Sequence, residues 1–152
     1  MAHVTDIRRA TAADALSLTR LMQDSPAYRG DYARILEGYQ VTADQIGRDL
    51  IFLAEAEGRL LGFYSLMLGD EPELDLLFVA EAAQGTGLGR RLFAHMKDEA
   101  RARGLAVVKI VSHPPSVGFY QRLGAKLIGG KPPSPPRVSW VRPVLILQTG
   151  PA

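Results

Sequence analysis

The sequence predicts one α/β domain in which helices flank a mixed β-sheet. Three observations carry this. The chain has 152 residues, 47% hydrophobic and 22% charged, long enough to bury about two-thirds of the surface its unfolded form would expose. Residues 51–56 and 59–68 are two apolar-rich runs separated only by Glu57-Gly58, which is a hairpin signature. Residues 73–111 run strand, helix, then a continuous apolar segment at 105–111, the pattern of a βαβ unit whose second strand is covered on both faces.

Residues 7–11 form a first strand, and Thr11 with Asp14 three positions on makes an N-terminal capping signal. The helix that follows places Ala15, Leu18 and Leu21/Met22 on one face and ends near Asp24-Ser25-Pro26. Residues 31–50 read as helical with a break at Val41, where Thr42 and Gln45 repeat the capping pattern. After the hairpin, a turn at 69–72 leads into a strand over 73–80. Leu88, Leu92, Met96 and Ala100 recur at helical spacing over 88–103, and Gly104 stops that helix. A short helix at 116–123 ends at Gly124 and precedes a strand at 126–129, a Gly- and Pro-rich segment at 129–136 and a last strand at 138–147. Because Pro143 has no N–H to give a ladder, that strand is expected at an edge or with a bulge there.

The absence of cysteine excludes disulfide scaffolds, thiolate nucleophiles, zinc ribbons and iron–sulfur clusters. Residues 1–14 hold Asp6, Arg8, Arg9 and Asp14 and no apolar run, so neither a secretory signal nor a membrane span is expected, and the location expected is cytoplasmic. The formal net charge is +2 without blocks of like charge, so no nucleic-acid or membrane-binding tail is expected. The three histidines, His3, His95 and His113, have no paired spacing and no metal is expected. His3 and His95 read as solvated surface residues.

Gln84-Gly85-Thr86-Gly87-Leu88-Gly89-Arg90 lies between a strand and a helix, where backbone N–H groups and the helix start converge on an anion. Arg90 and Arg91 read either as added charge at the loop or as solvated surface residues. A Rossmann fingerprint would need glycine where Arg90 stands and an acid within 105–111, and a P-loop would need Lys-Ser/Thr after Gly89. Both fail. A glycine-rich turn with no ligand satisfies the same pattern.

Val79, the Gln84-x-x-Gly87-x-Gly89 loop and Phe119-Tyr120 followed by Gly124 together resemble the GNAT superfamily of acetyl-CoA-dependent N-acetyltransferases. The resemblance implies one such domain over residues 1–152, with a central, mostly antiparallel sheet that contains one splayed parallel pair. It implies that the amides of Gln84, Gly85, Thr86, Gly87, Leu88 and Gly89, with Arg90, hold the pyrophosphate of CoA. The pantetheine arm would pair near Phe78 and Val79, and the Val79 amide would donate to the acetyl carbonyl. Tyr120, beside Phe119, would protonate the departing thiolate. Departures from the family pattern are Glu81 for a proline, Thr86 for a basic residue, His113 for Asn or Asp, and Ala125 for an aromatic.

Acetyl transfer to an amine needs a proton acceptor. Glu73 and Asp75 lie two apart on a strand, hence on one face with Leu77 and Val79 unless a bulge intervenes. Glu73 is preferred because its position matches an acid found on this strand in related sequences, and Asp75 is second; both also read as carboxylates merely exposed at a strand start. His113 reads as a turn residue, a contact to the cofactor arm or a second base. Tyr28, Tyr32, Tyr39 and the 129–137 loop border the acceptor pocket in related folds, and equally fit ordinary surface. The expected function is direct transfer from acetyl-CoA to a primary amine of a small molecule or a protein. The alternatives are a non-catalytic CoA-binding or sensing domain of the same fold and a phosphate-binding module. A homodimer is common among similar proteins, but no interface signal stands out.

Overall fold

The computed structural model describes residues 5–25, 30–135 and 138–150. Its strands are β1 (Asp6–Arg9), β2 (Leu50–Ala56), β3 (Arg59–Met67), β4 (Glu73–Val79), β5 (Val107–Val111), β6 (Lys126–Lys131) and β7 (Arg142–Gln148). Its α-helices are α1 (Ala15–Gln23), α2 (Ala43–Arg48), α3 (Leu88–Ala102) and α4 (Val117–Arg122). Among the described residues the strands form one sheet in the order β1-β2-β3-β4-β5-β7-β6. Every neighbouring pair is antiparallel except β4 and β5.

Local chemistry accounts for the element boundaries. Asp14 accepts a hydrogen bond from the Thr11 amide at 2.8 Å and two from Arg8 at 3.0 Å, tying the start of α1 to β1. Thr42 caps α2 by accepting from the Gln45 amide at 3.1 Å. The β2–β3 turn puts Glu57 at φ 53° and Gly58 at φ 75°, the paired left-handed conformation of a tight two-residue hairpin. At the end of α3, Gly104 has φ 74°, and the Leu105 amide donates to the Ala100 carbonyl at 2.9 Å. The same closure ends α4, with Gly124 at φ 100° and the Ala125 amide on the Tyr120 carbonyl at 3.0 Å.

Two apolar layers sandwich the sheet. Leu88, Leu92, Phe93, Met96 and Ala100 of α3 pack on Tyr64, Leu74, Val108, Ile110, Leu145 and Leu147. On the opposite face Leu18 and Met22 of α1 and Ile46 of α2 pack on Ile51, Leu53, Phe63, Leu76 and Phe78.

Three expectations change. The helical stretch at 31–50 is a 3-10 turn, Gly30–Leu36, plus the single-turn α2. The last strand begins at Arg142, and Val138 instead bridges Ser134 across the proline segment. β7 is interior, between β5 and β6, rather than at an edge. Pro143 is tolerated there because the β5 ladder ends at Val111 opposite Val144 and closes with the Ser112 amide donating to the Pro143 carbonyl at 2.9 Å. Pro143 has only to accept. The bulge near it is on β6, between Leu127 and Gly129.

Candidate active site

The parallel pair is registered only at Glu73 with Lys109 and Leu74 with Ile110 among the described residues. Beyond Leu74 the strands part, so the rest of β4 has a neighbour on one side only. The Ala80 amide donates to Leu61 at 2.8 Å, and antiparallel pairs alternate between exchanging hydrogen bonds and facing away. Gly62 and Val79 are therefore a pair that faces away. The N–H of Val79, and by the same alternation that of Leu77, turn from β3 toward the split, while the Phe78 amide faces β3.

A bulge sets which side chains face which way. Leu76 pairs with Ser65 and Leu74 with Leu66, leaving Asp75 as the extra residue on β4. Leu74, Leu77 and Val79 pack on the α3 face, whereas Leu76 and Phe78 pack on the α1 face. The expectation that Glu73 and Asp75 share a face with Leu77 and Val79 is thus corrected. The two carboxylates line a cavity with Leu76 and Phe78, while Leu77 and Val79 line another.

The cavity on the α3 side measures about 340 Å³ and runs from Leu77 and Val79 past Gln84, Gly85, Gly87, Leu88, Gly89 and Arg90 to Ser116, Phe119 and Tyr120. Gly85 and Gly87 have φ of 76° and 84°, angles that side chains other than glycine rarely adopt. The Gln84 and Thr86 amides are occupied inside the turn, by the Glu81 and Ala83 carbonyls. The amides opening α3, at Leu88, Gly89 and Arg90, have no carbonyl one turn earlier in the helix. Such a cradle suits a phosphate. The Gln84 side chain donates to the Val79 carbonyl at 3.1 Å, fixing the loop to the end of β4. A Cβ on Gly89 would lie 3.4 Å from the Phe119 ring and 3.7 Å from Val79, so this glycine lets α3 sit close to β4 and α4. Phe119 and Tyr120 meet edge to face at 5.3 Å, and Tyr120 is 9% exposed with its ring in the core.

Thr86 and His113 are not brought to this cavity. The Thr86 hydroxyl donates to the Ala83 carbonyl at 2.5 Å on the far side of the turn. Arg91 reaches the Thr5 carbonyl at 3.2 Å, also away from it.

The second cavity, about 150 Å³, lies across β4 and shares Phe78 with the first. Glu73, Asp75, Tyr39, His113, Lys131, Trp140 and Arg142 line it. Burial, then the neighbouring carboxylates Glu73 and Asp49, push Asp75 from its ordinary 3.8 up to about 6, against the pull of Arg48. Glu73 instead has a cation at hand, Lys109 Nζ at 3.6 Å. Burial and Asp75 also raise the Tyr39 phenol, whose oxygen accepts from Gln45 at 3.0 Å. Tyr32 stands edge-on to His113 at 5.5 Å and to Trp140 at 4.8 Å.

Tyr32, Tyr39 and Lys131 therefore border the second cavity, whereas Tyr28 and His3 lie outside the described residues. Sequence reasoning missed Trp140 and Arg142. Their signal is the pairing of β6 with β7 across the proline loop, which sets Lys131 opposite Arg142. His95 is half-buried rather than solvated: its Nδ1 is 2.8 Å from the Tyr64 hydroxyl and its ring 4.6 Å from Phe52. No metal-holding group of three or more His, Asp or Glu occurs among the described residues. Nor is any helix among them long and apolar enough to cross a membrane.

Sheet, split and glycine cradle define an α/β protein with a glycine-rich loop at a helix start on one side of a parted strand pair and a half-buried acid on the other. Residues 32–132 match the family described as the acetyltransferase (GNAT) domain. The chain belongs to the GNAT acetyltransferase family. It is similar to a 5-NmdU N-acetyltransferase of Pseudomonas phage PaMx11, with 34% identity over 52% of this chain and 59% of that one. It is also similar to a mycothiol acetyltransferase of Thermomonospora curvata, with 38% identity over 49% of this chain and 27% of that one. The matches thus span from about a quarter to three-fifths of these curated relatives. In fold it superposes on the PaiA N-acetyltransferase of Thermoplasma acidophilum, solved in complex with coenzyme A. That TM-score is 0.75 at 17% identity, covering 95% of this chain and 99% of that one.

Proposed function

We propose that residues 1–152 act as a single N-acetyltransferase domain that transfers the acetyl group of acetyl-CoA directly to a primary amine in a ternary complex. The observation that carries this is the split itself. It leaves the Val79 N–H directed into the gap, with the glycine cradle on one side and Asp75 on the other, the two cavities meeting at Phe78.

In this reading the amides of Gly85, Gly87, Leu88, Gly89 and Arg90 bind the pyrophosphate, with the Arg90 side chain adding charge, and the β4 edge at Leu77 and Val79 pairs with the pantetheine amides. Asp75 takes a proton from the acceptor ammonium, directly or through water. A carboxyl that titrates near pH 6 is ionised at pH 7 yet more basic than an ordinary aspartate. Glu73, on the same wall, helps to raise it. The amine nitrogen then bonds to the acetyl carbon. The Val79 N–H donates to the carbonyl oxygen as negative charge builds there. When the carbon–sulfur bond breaks, the Tyr120 hydroxyl protonates the departing sulfur, and the second proton that the nitrogen sheds on becoming an amide passes through water to restore the hydroxyl.

The test is calorimetric titration with acetyl-CoA, ATP and NAD, followed by thiol release across an amine panel. Selective acetyl-CoA binding with thiol release in step with amine acetylation is expected. Equal binding of all three ligands would overturn the cofactor reading. Selective binding without turnover would leave a CoA-sensing domain in its place.

A further inference from the structure

The second cavity carries charge of opposite sign on opposite walls. Glu73 and Asp75 extend from β4, Lys131 from β6 and Arg142 from β7, and the end of β5 at Val111, Ser112 and His113 lies between them. Lys131 and Arg142 are directly opposite in the β6–β7 ladder, where like charges repel. Among the described residues neither side chain has an ion pair or hydrogen bond to relieve this. The Nε of Arg142 and the Nε1 of Trp140 are fully buried and unbonded. Buried donors of this kind are costly unless an acceptor arrives. No carboxylate among the described residues accepts from either donor.

We infer that the acceptor seated in this cavity is a free α-amino acid, its ammonium against Asp75 and Glu73 and its carboxylate against Arg142 and Lys131. This deepens the acetyltransferase reading and rests on it. A guanidinium matches a carboxylate with two parallel hydrogen bonds, which relieves both the orphaned donor and the Lys131–Arg142 repulsion. The volume, about 150 Å³, is below the range of about 300–1,000 Å³ typical for drug-sized ligands. A single amino acid suits it, with the rim of Tyr39 and Trp140 facing its side chain. The α-amine of a peptide chain presents no carboxylate at that distance and leaves the cationic wall unpaired.

The test compares matched probes by calorimetry on protein saturated with CoA, where no acetyl transfer occurs, and again without CoA. The probes are L-alanine, L-methionine and L-phenylalanine, each beside its carboxamide. For at least one pair the acid should bind at least tenfold more tightly than the carboxamide. R142Q should weaken that acid at least tenfold and the carboxamide far less, with K131Q smaller and in the same direction. Equal affinities within every pair, no binding of any acid, or R142Q weakening both members alike would overturn the inference. Failure to bind CoA in the same instrument is a distinct result. It would sink the acetyltransferase reading, and the titrations without CoA would still decide what the cavity holds.

Discussion

Replacing Asp75 with asparagine should make the protein more stable and less active at once, and the two effects have one cause. In the native protein Asp75 titrates near pH 6 rather than at 3.8, chiefly because burial disfavours its charge. Between those values the native state holds a proton that the unfolded chain has released, so stability falls as pH rises through that window and stays low above it. At 1.36 kcal/mol per pH unit, the gap amounts to an upper bound of about 3 kcal/mol at pH 8. An asparagine at this position carries no charge, so D75N recovers that loss, less what its amide forfeits in imperfect hydrogen bonds. A net gain of about 1–3 kcal/mol corresponds to a rise in Tm of about 3–9 °C for a domain of this size. Thermal unfolding followed by circular dichroism from pH 4 to pH 8 reads this directly. The difference in Tm should be near zero at pH 4, open between pH 4 and pH 6.5, and level off above. Activity should fall about 10²–10⁴-fold, the range for loss of a general base. A D75N protein less stable than wild type at every pH, or a Tm difference that is flat across the range, would refute the account of Asp75 as a half-buried, destabilised carboxylate.

Other substitutions probe the remaining parts. Tyr120→Phe keeps the ring in the core while deleting the proposed proton donor; kcat should drop at least tenfold (about 10²–10⁴ for lost acid catalysis) with acetyl-CoA affinity near wild type, and an unchanged kcat removes the hydroxyl from the mechanism. Gly62→Ala puts a methyl 2.8 Å from the Phe78 carbonyl and 3.0 Å from Leu92. Urea unfolding should show a loss of about 1–3 kcal/mol, and acetyl-CoA affinity should fall because the β4 edge must move. Asp14→Asn tests the anchor of α1. Hydrogen bonds from Arg8 hold Asp14 below its ordinary value, so its contribution is present above the usual aspartate range and lost as pH falls through the lowered value. With Arg8 39% exposed, the cost at pH 7 should be about 1 kcal/mol, and the gap from wild type should close as pH falls below the usual aspartate range, which denaturation at stepped pH would follow.

Features governed by neighbours in the chain were legible without the structure. The Glu57-Gly58 hairpin needs two left-handed residues, and α3 declares itself by its apolar stripe and by Gly104. Gly85 and Gly87 mark the cradle by the angles they must adopt. The spacing of Tyr120 to Gly124 is the geometry of a helix closing on itself, with the Ala125 amide returning to the Tyr120 carbonyl. These are local matters of backbone angle and periodicity, and the residue types suffice to state them.

Four features depended on which strand lies beside which. The bulge at Asp75 turns both carboxylates away from Leu77 and Val79, and it exists only in the register of β4 against β3. Asp75 is raised because the folded sheet buries it beside Glu73 and Asp49, while Lys109 of β5 comes within 3.6 Å of Glu73. Lys131 and Arg142, eleven positions apart around a proline loop, become one cationic wall only once β6 pairs with β7. His95, on a polar stretch of sequence, meets Tyr64 because α3 lies over β3. Strand-pairing alternatives differ by a residue in register or a place in order, and a sequence with period-two side chains is nearly indifferent among them until packing on both faces selects one. The sequence therefore carries the elements, the glycine loop and the family, while the direction of the acids, the raised pKa of Asp75 and the charge pattern of the second cavity arise only in the folded sheet.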